Sequence, residues 1–162
     1  MAPPQRIMRL TEAHVAKVHR EVPDGGPPPG LVESTDEDYR QYVAEILGSA
    51  PPEAGFWLFA YGSLIWKPNF AHDAECLAHV HGWHRAFCLG WMRAFRGSPD
   101  RPGLMMALDR GGSCRGVGFR LPAGQVEENL MPIIRRELVF KASGMKACWL
   151  RGRTAEGPRD MI

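Results

Sequence analysis

The stretch "FWLFAYGSLIWKPNF", residues 56–70, decides the fold. Phe56 to Ala60 is a short, continuous apolar run, the pattern of a strand buried on both faces. The run breaks at Gly62-Ser63 and resumes as Leu64, Ile65 and Trp66. Glycine permits close approach and unusual backbone angles. Successive amides at the open end of a strand make a small nest for an anion or a carbonyl oxygen. On that reading Leu64-Ile65-Trp66 anchors the loop against the core. The competing reading is a strand, a tight turn and a second strand, with no ligand.

Upstream, "STDEDYRQYVAEILGSAPP" signals a helix. Ser34 and Glu37 have capping-box spacing, and Asp36, Glu37 and Asp38 suit the positive end of the helix dipole. Tyr39, Tyr42, Val43, Ile46 and Leu47 form one apolar stripe, stopped by Gly48 and Pro51. Before it, "EVPDGGPPPG" holds four prolines and three glycines in ten residues. Residues 1–30 are therefore expected to be a flexible extension ending in a Pro/Gly linker, with a helical turn or two between Arg9 and Arg20.

Downstream the texture is mostly strand. "CLAHVHGWHRAFCLGW" (76–91) reads as one bent or two short strands, with Gly82 at a bulge. "RGSPDRPG" (96–103) is a polar loop. "LMMALDR" and "CRGVGFRL" flank "GGS" as a hairpin would. A helix is expected from near Gln125, with Val126, Leu130, Ile133, Ile134 and Leu138 as its stripe and Pro132 as a kink or restart. "ACWLRGRTAEGPRDMI" starts a last hairpin turning at Glu156-Gly157.

Composition narrows the function classes. A chain of 162 residues fits one domain and can bury a real core. A net charge of +2 gives no argument for nucleic acid. The four cysteines are scattered without a CxxC pair, the N-terminus lacks a signal-peptide core, and no window approaches a membrane span. A cytoplasmic protein without membrane or nucleic-acid partners is expected.

Several constellations compete for chemistry. His79 and His81 share a strand face, a spacing zinc sites use, but no Cys, Asp or Glu completes a set, and no metal is expected. Cys114 in "GSCRG" partly resembles a caspase-type nucleophile; it opens a strand after a Gly-Gly turn, where packing is the simpler role. Ser63 lacks the G-x-S-x-G setting of a hydrolase nucleophile. Arg85, Arg93, Arg96 and Arg101, interleaved with aromatics, fit a strand core as well as an RNA surface.

"FAYGSLIWKPNF" resembles the signature of the ChaC-like γ-glutamylcyclotransferases, and the resemblance continues through "GWHRAFCLGW", "RGSPDRPGLMMALDRGGSCRGVGFRLP", "LMPIIRRELVF" and "RTAEGPRDMI". It covers about residues 56–162 in the family's order. It implies an α+β fold, a mixed, curved sheet closing toward a barrel with flanking helices. It implies cleavage of the γ-glutamyl bond of glutathione to 5-oxoproline and Cys-Gly, by attack of the substrate's own α-amine, without a cofactor. It implies Glu137, in "RRE", as the catalytic base, and the Tyr61, Gly62, Ser63, Leu64 loop with Ile65 and Trp66 as the substrate clamp. Read from the residues alone, Glu137 is a helix-surface acid paired with Arg136 or Lys141. The alternatives are a cyclotransferase for another γ-glutamyl peptide or amine, and a binding module without turnover. Two departures stand out. Ala147 occupies a position where the family has proline. Relatives continue past the strand near Arg159, so the domain, residues 31–162, is expected to be incomplete at its C-terminus, leaving a sheet edge open for self-association.

Overall fold

The computed structural model describes residues 12–17, 27, 29–52, 55–141 and 144–162. Most of the expected linker lies outside them, as do the ends of the helical turns expected between Arg9 and Arg20; α1 (Glu12–Ala16) is what is described there. A two-residue strand β1 (Val32–Glu33) leads into α2 (Asp36–Gly48) and β2 (Phe56–Ala60). A single turn, α3 (Ser63–Trp66), precedes β3 (Ala74–Ala86), β4 (Trp91–Gly97), β5 (Pro102–Leu104) and β6 (Ala107–Leu121). Then come α4 (Val126–Glu137), β7 (Phe140–Lys141), β8 (Leu150–Thr154) and β9 (Gly157–Met161). Among the described residues no helix is long and apolar enough to cross a membrane.

The main sheet runs β2-β6-β3-β8-β9, each neighbour antiparallel. Its two outer strands then meet. The Ile162 amide donates to the Trp57 carbonyl at 2.9 Å, and the Phe59 amide donates to the Ile162 carbonyl at 2.7 Å. That pair of bonds is the parallel pattern, so the residue after β9 lies beside β2 and draws the margins of the curved sheet together toward a mixed barrel. At the edge expected to be open, Ile162 makes these two bonds. The last hairpin turns one residue earlier than expected, at Ala155-Glu156, with Thr154 opposite Gly157.

β2 is buried on both faces, as its composition requires. Trp57 and Phe59 join Ala78, Val80, Cys114, Leu150 and Met161 inside the barrel. On the other side α2 and α4 pack together through Tyr39, Val43, Ile46, Leu130, Ile134 and Leu138, with Leu121 from the sheet and Phe56 against them. The apolar stripes of both helices are thus the expected ones. Pro132 lies inside α4 without ending it; it lacks the N–H that would bond back one turn.

Two local expectations are corrected. The N-cap of α2 is Thr35, in a capping box with Asp38, not Ser34 with Glu37. The Ser34 hydroxyl is taken by the Leu138 carbonyl at 2.9 Å, and its amide by the Val139 carbonyl, so the cap shifts one residue on. Nor is "GGS" a hairpin turn. β6 passes straight through it, and Gly111-Gly112 oppose the single Gly82 between the pairs His81–Ser113 and Trp83–Arg110. All three glycines have positive φ. Two residues against one is a β-bulge, which bends the ribbon instead of reversing it. Gly82 itself was the expected bulge position. "RGSPDRPG" forms the tip of the β4–β5 ribbon, closed by reciprocal Ser98–Arg101 backbone bonds of 2.9 and 3.1 Å.

Candidate functional site

β2 stops at Tyr61 because its ladder partner changes. The Tyr61 carbonyl accepts from Arg85 Nη1 at 2.9 Å, and the same nitrogen donates to the Arg115 carbonyl at 3.0 Å. One arginine of β3 therefore ties the end of β2 to β6. The chain then coils once, with Ile65 N–H to the Gly62 carbonyl at 3.0 Å and Lys67 N–H to the Ser63 carbonyl at 3.1 Å. The first amides of such a turn have no acceptor within it. They belong to Ser63 and Leu64.

α4 delivers the other half. After Ile133 and Ile134 bury themselves, the helix ends at Glu137, half-buried at 35% side-chain exposure. The Arg136 side chain crosses to the loop. Its Nη2 donates to Ser63 Oγ at 2.9 Å, and its Nη1 to the Lys67 carbonyl at 3.2 Å and Asn69 Oδ1 at 3.3 Å. Its Nε lies 3.3 Å from Glu137 Oε1. Two turns further back, buried Asn129 accepts from the Ala71 amide at 2.6 Å and donates to the Gln125 carbonyl. The segment after α3 is thus fastened along α4 at two levels.

Two adjoining cavities result. One, of about 230 Å³, is bordered by Tyr61, Gly62, Ser63 and Leu64, with Phe87 and Leu104 near its rim. The other, of about 260 Å³, is bordered by Met92, Met145, Leu89 and Arg136. Ser63, Arg96, Met105 and Glu137 belong to both walls.

Of the residues singled out in the sequence, the structure brings together Tyr61, Gly62, Ser63, Leu64 and Glu137. Ile65 and Trp66 lie outside both cavities, and Trp66 is 87% exposed, so it does not anchor the loop. The anchoring comes from Arg85 and Arg136. Arg136 drew attention only as an ion-pair partner of Glu137, and its reach to Ser63, across 73 positions, leaves no local trace in the sequence.

Burial pushes the Glu137 carboxyl up from the ordinary glutamate range, with Arg136 and Arg96 holding it back. The Tyr61 phenol is pushed up to about 12, by burial first and by the Glu137 charge second. The tyrosine stays protonated and can donate. The carboxyl is poised to exchange a proton in a half-dry site.

The other constellations resolve otherwise. Cys114 is buried inside the barrel, where burial pushes its thiol up. The His79 and His81 ring centroids lie 4.4 Å apart with the planes tilted by 45°, flanked by Arg115 and Arg153. Among the described residues no group of three His, Cys, Asp or Glu is placed to hold a metal ion.

The model of the ChaC-like proteins matches residues 56–152, more than half of the chain. The chain belongs to the ChaC-like family. This ChaC-like chain is 41% identical over 97 residues to a glutathione-specific γ-glutamylcyclotransferase of Escherichia coli, covering 60% of the chain and 42% of that relative. It is 37% identical over 91 residues to glutathione-specific γ-glutamylcyclotransferase 1 of Homo sapiens, covering 55% of the chain and 40% of the relative. The ChaC-like chain therefore spans well under half the length of these curated relatives. A crystal structure of a yeast γ-glutamyl cyclotransferase specific to glutathione superposes with a TM-score of 0.50 at 22% identity, over 63% of this chain and 54% of that one. That likeness speaks for the α+β fold.

Proposed function

We propose that this ChaC-like chain is a γ-glutamylcyclotransferase that converts glutathione to 5-oxoproline and Cys-Gly. One observation carries the reading: Glu137 and the Tyr61–Leu64 loop, 73 positions apart at Ser63 and Arg136, border one cavity. The names of the matched relatives support the substrate.

The chemistry follows from the groups present. The substrate's α-nitrogen must close a five-membered ring on its own γ-carbonyl. The amides of Ser63 and Leu64, at the open end of the α3 turn, take the γ-carbonyl oxygen as it becomes an oxyanion. The Tyr61 hydroxyl, protonated throughout the working range, donates to the same segment. Holding the chain in its ring-closing shape removes on the order of 7–11 kcal/mol of the barrier. The α-ammonium sheds two protons on its way to a lactam nitrogen, and the amide nitrogen gains two on its way to a leaving ammonium. Glu137 carries them across. The new C–N bond forms as the old one breaks, and no water is consumed. Residues 31–162 carry this machinery, and the protein works in the cytoplasm, where the free thiols of Cys76, Cys88, Cys114 and Cys148 stay reduced.

Incubation of the full chain with glutathione, with Cys-Gly and 5-oxoproline measured, tests the reading. In Glu137→Gln, turnover is expected to fall by about 10²- to 10⁴-fold, with γ-glutamyl binding retained. Wild-type turnover in that variant returns Glu137 to the role of a surface charge. Product from another γ-glutamyl peptide or amine but none from glutathione changes the substrate. Binding without product from any makes the chain a binding module.

A further inference from the structure

Three basic side chains meet on the outer face of the barrel, and none of them lines either cavity. β3 pairs with β6 at His79–Arg115 and with β8 at His79–Arg153. Directly opposed residues project from the same face. The row Arg115–His79–Arg153 therefore spans three adjacent strands, its ends about 10 Å apart. Their neighbours Ala78, Val80 and Cys114 point inward and fill the barrel. In the row itself Arg115 and Arg153 are exposed and His79 is half-buried. Like charges set opposite one another destabilise a sheet. Among the described residues, neither Arg115 nor Arg153 has a side-chain hydrogen bond or an ion pair to offset this. The acids of the last hairpin are engaged elsewhere, Asp160 by Arg151 and Glu156 by Arg159. Glu75 stands four residues along β3, opposite Phe119, about 13 Å from His79. His81, on the same face and opposite Ser113, has its ring centroid 4.4 Å from that of His79. Partial burial first, and then the charges of His81, Arg115 and Arg153, hold the His79 imidazole below its ordinary value.

We propose that the Arg115–His79–Arg153 row binds the terminal phosphate of a small molecule, or the free phosphate ion. Two guanidiniums supply two fixed charges, which a phosphate dianion offsets in full. A carboxylate would leave one of them uncompensated, and the same two charges repel a metal ion. A terminal phosphate presents three bare oxygens. Three donors stand in the row to meet them: a forked guanidinium on each flank, which suits phosphate geometry, and an imidazole N–H between. Protonation of His79 adds a third charge, so binding tightens as pH falls. The site owes nothing to the cyclotransferase reading and stands or falls without it.

The experiment follows the Cε1–H proton signal of His79 in the full chain by NMR, assigned by its loss in His79→Gln. Inorganic phosphate, glycerol 3-phosphate, dimethyl phosphate and acetate are titrated in at constant ionic strength. Inorganic phosphate and glycerol 3-phosphate are expected to move the signal saturably. A preference of about tenfold between those two names the source, free ion or ester. Dimethyl phosphate, a monoanion with two bare oxygens, and acetate are expected to move it little. Arg115→Gln and Arg153→Gln are each expected to weaken phosphate binding by about tenfold or more, the worth of a charge-assisted hydrogen bond. Sulfate keeps its charge from pH 5 to 8 and tests the coupling to His79. At saturation it is expected to raise the His79 midpoint by about one pH unit, which means about tenfold tighter binding to the protonated ring. No saturable shift with phosphate overturns the proposal. So does an equal shift with acetate or dimethyl phosphate, or phosphate binding that survives both arginine substitutions.

Discussion

The two packed regions that meet at Glu137 are built on opposite rules. The helix side is filled by bulk: Val43, Ile46, Leu130, Ile134 and Leu138 project from two amphipathic helices. The barrel side is filled by exchange, where one strand gives up a side chain so that another can lie flat. A Cβ added to Gly116 would stand 2.4 Å from the Ala60 carbonyl oxygen and 2.7 Å from the Phe59 ring, and one on Gly118 would stand 2.8 Å from Met161 Cε. The first kind of core announces itself as periodicity along the chain. The second is a bargain between residues about 56 positions apart, such as Ala60 and Gly116, and a small residue alone does not say which bulky partner it serves. The difference also divides the site, since α4 brings the carboxylate and the turn that follows β2 brings the amides.

The largest effect should come from breaking the helix side. Leu130→Ala is expected to cost about 2–5 kcal/mol in urea unfolding, because Leu130 is 1% exposed and its cavity cannot fully collapse. The folded fraction should turn over at the natural rate. A change in kcat after correction for unfolded protein would mean that the helix core tunes the site directly.

Next comes the joint between the regions. Arg136→Lys keeps the charge and loses the planar fork that reaches Ser63, Lys67 and Asn69. Charge-assisted hydrogen bonds are worth about 1.5–3 kcal/mol, so kcat/KM should fall on the order of 10- to 100-fold while Tm moves little. Equal losses of stability and rate would make Arg136 a structural strut only.

Gly116→Ala sharpens the barrel side. The clash is with backbone, which cannot rotate away, so overpacking of about 1–3 kcal/mol is expected. Because the displaced atom is the Ala60 carbonyl, KM for the γ-glutamyl substrate should rise as well, measured at substrate levels that bracket the natural KM. An unchanged KM would show that strain at Ala60 is not passed to Tyr61.

The smallest effect is a pH slope. Glu137 holds its proton more tightly folded than unfolded, so the native state binds more protons between the ordinary glutamate value and the raised one. Stability therefore falls as pH rises through that window, and the slope should vanish in Glu137→Gln. Asp38 acts in the opposite sense. Lys141 and Thr35 hold it down at about 2, so its contribution is present above the ordinary value and fades as pH falls toward 2. Chemical denaturation from pH 4 to 8 checks the Glu137 slope; a natural chain with the variant's profile would refute it.

What could be read in the sequence follows the same division. The stripe of α2, the stripe of α4 and the doubly buried β2 were all legible, because each depends on near neighbours. The cap of α2 was not: Ser34/Glu37 and Thr35/Asp38 have identical spacing, and the choice is made by Leu138, 104 positions away. Gly111-Gly112-Ser113 looked like a turn because glycine pairs serve turns and bulges equally. What decides is Gly82 on the opposing strand. Tyr61–Leu64 and Glu137, which border one cavity, were singled out through motifs, whereas Arg85, Arg96 and Arg136 converge only once the sheet has curled.

The bridge at Ile162 sets a tolerance. A sheet with two loose margins can be tuned by sliding one strand along the next, in steps of about 3.3 Å per residue. With its margins tied at Ile162 this sheet has less of that freedom: moving β2 by one step would break both Ile162 bonds. The amide of Phe59, fastened at 2.7 Å to the Ile162 carbonyl, lies only two residues before Tyr61. The loop's amides therefore follow closely on a residue tied to the opposite margin of the sheet. Exchange of the Phe59 N–H with deuterated solvent would time the parting of the two margins separately from the unfolding of the helices.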